Sequence, residues 1–178
     1  MKRKLGQWAA AHEWWALGMI VTVFSGVVLG NMTRWSVWFD EAFSAYLARF
    51  NIVEIAHFTS LDVHPPLYYW LLKGWTVLFG HSALAVRSLS LAFALVGLVG
   101  LYVVVRYITK RSSYSLAAVT ATALTPVFVR FSHEARMYTL VFAIVMWATY
   151  VLLRAMKTNR RWLWVLYGVL LAAGMFTH

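Results

Sequence analysis

Four long apolar stretches, Trp14–Leu29, Leu84–Val105, Ser115–Val129 and Tyr138–Leu153, do most to limit what this chain can become, and a fifth, Trp162–Phe176, follows them. A bilayer core is about 30 Å thick and takes roughly 20 mainly apolar helical residues to cross. The fold class expected is therefore all-α, a polytopic membrane protein with about five transmembrane helices. Composition agrees. The chain is 62% hydrophobic with a mean hydropathy of +0.67, against about 45–50% apolar residues in a soluble domain. Ten tryptophans and 17% aromatic residues suit a chain with many interfacial belts.

The charge pattern orients the spans. Basic residues gather at Lys2-Arg3-Lys4, from Arg106 to Arg111 and from Arg154 to Arg161, at the ends of apolar runs. That is the positive-inside distribution, and it accounts for the net charge of +10 without nucleic acid. The N-terminus is expected in the cytoplasm of an inner (plasma) membrane, with the first helix leaving outward near Gly30-Asn31. No small-x-small cleavage site marks that helix as a removable signal. Cysteine is absent, which excludes disulfides and thiolate metal sites.

Leu67–Phe79 is short, follows Pro65-Pro66, stops at Gly80 and carries Lys73 at its middle. If it crossed, Lys110-Arg111 and Arg160-Arg161 would lie outside. Lying along the surface, with Lys73 snorkelling to headgroups, it keeps both loops inside. Asp40–Phe50 reads as a second surface helix, since Phe39, Phe43, Tyr46, Leu47 and Phe50 make one helical stripe. Residues 31–82 then form a large external loop within a single transmembrane domain over 1–178, and Arg130 to Arg136 form a second external turn.

Three of the six acidic residues, Asp40, Glu41 and Asp62, fall in the two motifs of that loop that flank its middle. Carboxylates beside a bilayer are costly and point to function. Each motif also has a structural reading. Asp40-Glu41 starts a helix or supplies a general base. Asp62-Val63-His64-Pro65-Pro66 starts a helix at a rigid corner or holds His64 toward a phosphate or a metal ion. Arg130 and Glu134 pair at i, i+4, or join His133 and Arg136 in binding an anion. Arg87 snorkels or meets a phosphate. A divalent metal ion on Glu134 and His64 has no diagnostic spacing behind it.

The order Asp40-Glu41, then His64-Pro65-Pro66-Leu67, then Phe131-Ser132-His133-Glu134-Ala135-Arg136-Met137-Tyr138, with Phe176-Thr177-His178 at the end, resembles the GT-C glycosyltransferases. The bacterial family 39 type, related to protein O-mannosyltransferases and lipid A aminoarabinose transferases, is the most similar. Tyr68 and Tyr69 depart from the continuation seen in protein O-mannosyltransferases, so the resemblance does not fix the acceptor as protein. It implies sugar transfer from a polyprenyl-phosphate donor to an acceptor hydroxyl on a lipid, glycan or protein outside the cytoplasm, with inversion. Asp40 is then the base, with Glu41 beside it in the catalytic pair. His64, Arg130, Arg136 and Arg87 attend the phosphate, and Glu134 and Tyr138 contact substrate. Family members have more spans than five, so the chain is expected to be an N-terminal part of such an enzyme. Two other classes compete. A transporter predicts ionisable groups at span midplanes, whereas these charges sit at span ends. A non-catalytic subunit binding lipid-linked sugars keeps its function when Asp40 becomes Asn; an enzyme does not.

Overall fold

The computed structural model describes residues 2–61 and 64–178, with side chains from His12 onward. The described residues form helices α1 (Lys2–Asn31), α2 (Phe39–Leu47), α3 (Ile52–Ser60), α4 (Leu67–Phe79), α5 (Ala83–Thr109), α6 (Ser112–Ala123), α7 (Pro126–Ser132), α8 (Tyr138–Thr158) and α9 (Arg161–Met175), with no strand among them. The fold is all-α.

Three helices are long and apolar enough to cross a bilayer: α1 from His12, α5 and α8. The expected third span is broken. Thr125 is extended, with φ −70° and ψ 121°, because Pro126 disfavours the helical region for the residue before it. The chain then turns by 70° between α6 and α7, so this pair makes one bent span at most. The expected fifth span is α9, whose 15 residues rise only about 22 Å. Three or four crossings by length and composition therefore replace the expected five.

Helix α5 is the centre of the bundle. It lies against α8 and α6, while α1 rests on α6 and α9 on α8. Glycines allow the α5–α8 approach. A Cβ on Gly97 would meet the Phe142 ring at 2.4 Å, and one on Gly100 would meet Met146 Cβ at 2.9 Å. Small residues at such crossings let backbones close in where lipid supplies no hydrophobic drive.

Between α1 and α5 lie three short helices rather than two. Helix α4 covers the expected Leu67–Phe79, framed by Pro66 and by Gly80 at φ 83°. Its 13 residues reach about 20 Å, too short to cross. Helix α2 ends at Leu47, before Phe50, and α3 follows on a capping box: Asn51 Oδ1 accepts from the N–H groups of Val53 and Glu54, and Glu54 Oε2 accepts from Asn51 N. Lys73 does not snorkel; its Nζ donates to Arg49 O at 3.3 Å and ties α4 to the α2–α3 turn. Tyr68, Tyr69 and Leu72 join Leu47, Ile55, Leu89 and Met137 in one core that mounts this layer on α5 and α8.

Candidate active site

Asp40 and Glu41 share the first turn of α2, yet they meet different surroundings. Glu41 is buried at 2% exposure. Arg87, near the start of α5, grips it with Nε to Oε1 at 2.8 Å and Nη2 to Oε2 at 2.6 Å. The rest of the guanidinium turns to the end of α1 and the chain after it, donating to the carbonyl oxygens of Met32, Trp35 and Ser36. These five contacts match the five N–H donors of arginine. Arg87, expected to snorkel or to meet a phosphate, is buried and directs its donors to Glu41 and to these carbonyls. Glu41 Oε1 also accepts from Ala135 N at 2.9 Å. Burial pushes the Glu41 carboxyl up, but the Arg87 hydrogen bonds and charge and the Ala135 and Trp38 N–H groups outweigh it and hold it below the ordinary carboxylate value.

Asp40 is about one-third exposed, and its Oδ2 lies 3.5 Å from Arg136 Nη2. Arg136 is buried, and the same Nη2 lies 3.2 Å from His64 Nε2. The Arg136 guanidinium stands 5.9 Å from the Tyr138 ring centre. His178 comes from the far end of the sequence, its ring 6.1 Å from His64 and 6.3 Å from Tyr138. That end is seated by Leu67 N, which donates to Phe176 O at 3.0 Å. Asp40, His64, Arg136, Tyr138 and His178 thus converge from α2, the start of α4, the turn between α7 and α8, and the residues after α9. Asp62 and Val63 lie outside the described residues.

The turn that carries Arg136 is held by its backbone. Ser90 Oγ, one turn along α5 from Arg87, donates to Arg136 O at 3.2 Å and lies 3.1 Å from the Tyr68 hydroxyl. Burial raises the Tyr68 pKa, so this hydroxyl keeps its proton even though its bond to Ser90 acts the other way. Ser90 does not stand out in the sequence reading, and Tyr68 enters it only as a departure from the mannosyltransferase continuation. The available signal was a Ser three residues after an Arg inside an otherwise apolar span.

Arg130 is exposed and donates from Nε to Glu134 Oε1 at 2.7 Å, the expected i, i+4 pair. Among the described residues, Glu134 Oε2, His133 Nδ1, Arg136 Nε and Thr139 Oγ1 are buried without a hydrogen-bond partner. Such a group costs about 1–3 kcal/mol if it stays unpaired. A cavity of about 550 Å³ beside Glu134 is lined by Trp35, Trp38, Glu41, Arg87, Arg130, His133 and Glu134 among others. Glu134 and His64, offered together as metal ligands, face different partners, Arg130 and Arg136. No group of three His, Asp or Glu side chains converges among the described residues.

A family model described as dolichyl-phosphate-mannose-protein mannosyltransferase matches residues 63–178, a stretch that holds His64, Arg87, Arg130, Glu134, Arg136 and Tyr138 and begins after Asp40 and Glu41. No curated protein and no solved structure matches the chain significantly.

Proposed function

The chain belongs to the dolichyl-phosphate-mannose-protein mannosyltransferase family, and on that premise we propose that Asp40 is the general base of an inverting sugar transfer whose phosphate leaving group is met by Arg136. Family membership makes the protein an integral membrane glycosyltransferase of the GT-C type that works with a lipid-linked sugar. The finer reading is a polyprenyl-phosphate donor and an acceptor hydroxyl on the extracytoplasmic side of the inner membrane, with the N-terminus inside.

One observation carries the assignment. Two neighbouring carboxylates differ in what they have left to offer. Glu41 is buried with both oxygens engaged. Asp40 keeps access to solvent, and its carboxylate is paired with Arg136 at 3.5 Å. Of the two, Asp40 is the one with an oxygen open to take a proton, and Glu41 is a positioning residue that holds α2 against Arg87 and Ala135.

In the proposed step the acceptor oxygen bonds to the anomeric carbon as its proton passes to Asp40, and the bond from that carbon to the donor phosphate oxygen breaks. The phosphate leaves as an anion, so no strong general acid is needed. Its growing charge needs donors already in place. Arg136 Nε is buried without a partner among the described residues, His64 and Tyr138 stand beside that guanidinium, and Arg130 pairs with Glu134 close by in the sequence. Arg87 has no donor to spare and serves as scaffold for the base.

The test is sugar transfer from polyprenyl-phosphate donors in membranes holding the full-length protein or its Asp40→Asn variant. Loss of a base costs about 10²–10⁴-fold in rate, and a fall of that size with insertion and thermal stability intact is expected. Transfer at the wild-type rate in Asp40→Asn would overturn the assignment.

A further inference from the structure

At the end of the bundle opposite the candidate active site, α1, α5 and α8 enclose a second cavity of about 340 Å³, lined by Glu13, Trp14, Tyr102, Arg106, Tyr107 and Tyr150 among others. We infer that this cavity is a binding site for the phosphodiester headgroup of an anionic membrane phospholipid.

The argument begins with charge. Glu13 is the carboxylate of the cavity, and Arg106 Nε already holds it at 3.1 Å. Three more cations gather around the same aromatic rings. Lys110 Nζ lies 4.1 Å from the centre of the Tyr107 ring, and Lys157 Nζ lies 5.9 Å from that same centre. Arg154 Nη1 reaches the Tyr150 hydroxyl at 3.5 Å, and the Tyr150 ring stands edge-on to Tyr107 at 5.8 Å. Arg106 and Lys110 line the cavity with its one carboxylate, and Arg154 and Lys157 lie against two of its tyrosines. Lys110 and Lys157 share a single neutral ring, an arrangement in which like charges repel unless an anion sits between them.

Burial supplies a second observation. Tyr102 is 1% exposed, and its hydroxyl is taken up by the Glu13–Arg106 pair, so the cavity's one carboxylate is already engaged from two sides.

Position decides the source of the anion. The cavity lies at the ends of apolar spans, and the side chains around it present a lipid-facing belt: Trp14 is 64% exposed, Trp15 81% and Ile108 60%. Basic pockets between helix ends, with aromatic residues at headgroup depth, suit an anchored headgroup whose tails remain in the bilayer. Free phosphate has no use for that belt.

The experiment compares lipid retention by the full-length protein in nanodiscs of phosphatidylcholine and phosphatidylglycerol. Native mass spectrometry reads which lipid stays bound after release. The Lys110→Gln/Lys157→Gln variant removes two exposed cations at the cavity. Arg160→Gln/Arg161→Gln removes two exposed cations outside it with the same change in net charge. Expected is a preference for phosphatidylglycerol in the wild type and in the arginine variant, weakened about 30-fold in the lysine variant, and not displaced by inorganic phosphate. An unchanged preference in the lysine variant, equal loss in both variants, or displacement by inorganic phosphate would each overturn the proposal.

Discussion

Replacing Glu41 by Gln tests the division of labour at the start of α2. The substitution keeps the shape of the side chain and one acceptor oxygen. It removes the negative charge and places an NH₂ group where Oε2 now accepts from Arg87 Nη2 at 2.6 Å, so that donor faces donor. Arg87 is 3% exposed and has no second carboxylate in contact among the described residues. Its charge would be left buried without its partner, which costs about 3–5 kcal/mol. For a chain of this size that corresponds to a fall of roughly 6–20 °C in Tm. Asp40→Asn gives up only a 3.5 Å contact at a partly exposed carboxylate, a loss on the order of 0–1 kcal/mol. Thermal unfolding of purified protein in one detergent, followed by tryptophan fluorescence, reads both. The double variant Glu41→Leu/Arg87→Met should recover much of the loss, because it removes both charges together. A Glu41→Gln protein melting within a degree of the wild type would refute the reasoning, as would a double variant no better than Glu41→Gln alone.

Two further outcomes follow from the same geometry. Because Glu41 is held below its ordinary pKa of 4.5 in the folded protein, the unfolded chain takes up its proton first as pH falls. The Glu41 contribution to stability is therefore complete above about pH 4.5 and is lost as pH drops through the depressed folded value, so the acid limb of a stability–pH profile should flatten in Glu41→Gln. At the α5–α8 crossing, Gly100→Leu drives a branched side chain into Met146 Cβ and the Trp147 indole, and Gly97→Leu drives one into Phe142; each should cost about 1–3 kcal/mol or more, visible as lower Tm and lower membrane yield, and unchanged yield would show that the helices part more easily than the contacts imply.

The elements that were legible in the sequence are those whose signals are local. Pro66 and Gly80 framed α4 to the residue, and apolar length alone marked α5 and α8. Helix α3 was missed because Ile52 and Val53, both β-branched, mask the Asn51–Glu54 capping box that starts it. Five spans were expected because hydropathy runs on through Thr125-Pro126, where backbone geometry breaks the helix, and because the apolar run of α9 hides a helix of only 15 residues. The site residues were visible as residue types, but their partnerships were not. Glu41 meets Arg87 46 positions away and Ala135 94 positions away, and no local pattern distinguishes an arginine that clasps a carboxylate from one that waits for a phosphate.

The Glu41–Ala135 hydrogen bond has a mechanical consequence. Asp40 is the chain neighbour of Glu41 and Arg136 the neighbour of Ala135, so proposed base and cation are cantilevers one peptide long, clamped at a common root. A bilayer that thins or thickens tilts α5 and α8, and that tilt displaces the root as a whole. The gap between Asp40 and Arg136 depends on two rigid peptide units and so changes little. On the proposed roles, the spacing of base and cation is set by these two peptide units, and an insertion of a single residue between Asp40 and Glu41 or between Ala135 and Arg136 would change it while leaving every span intact.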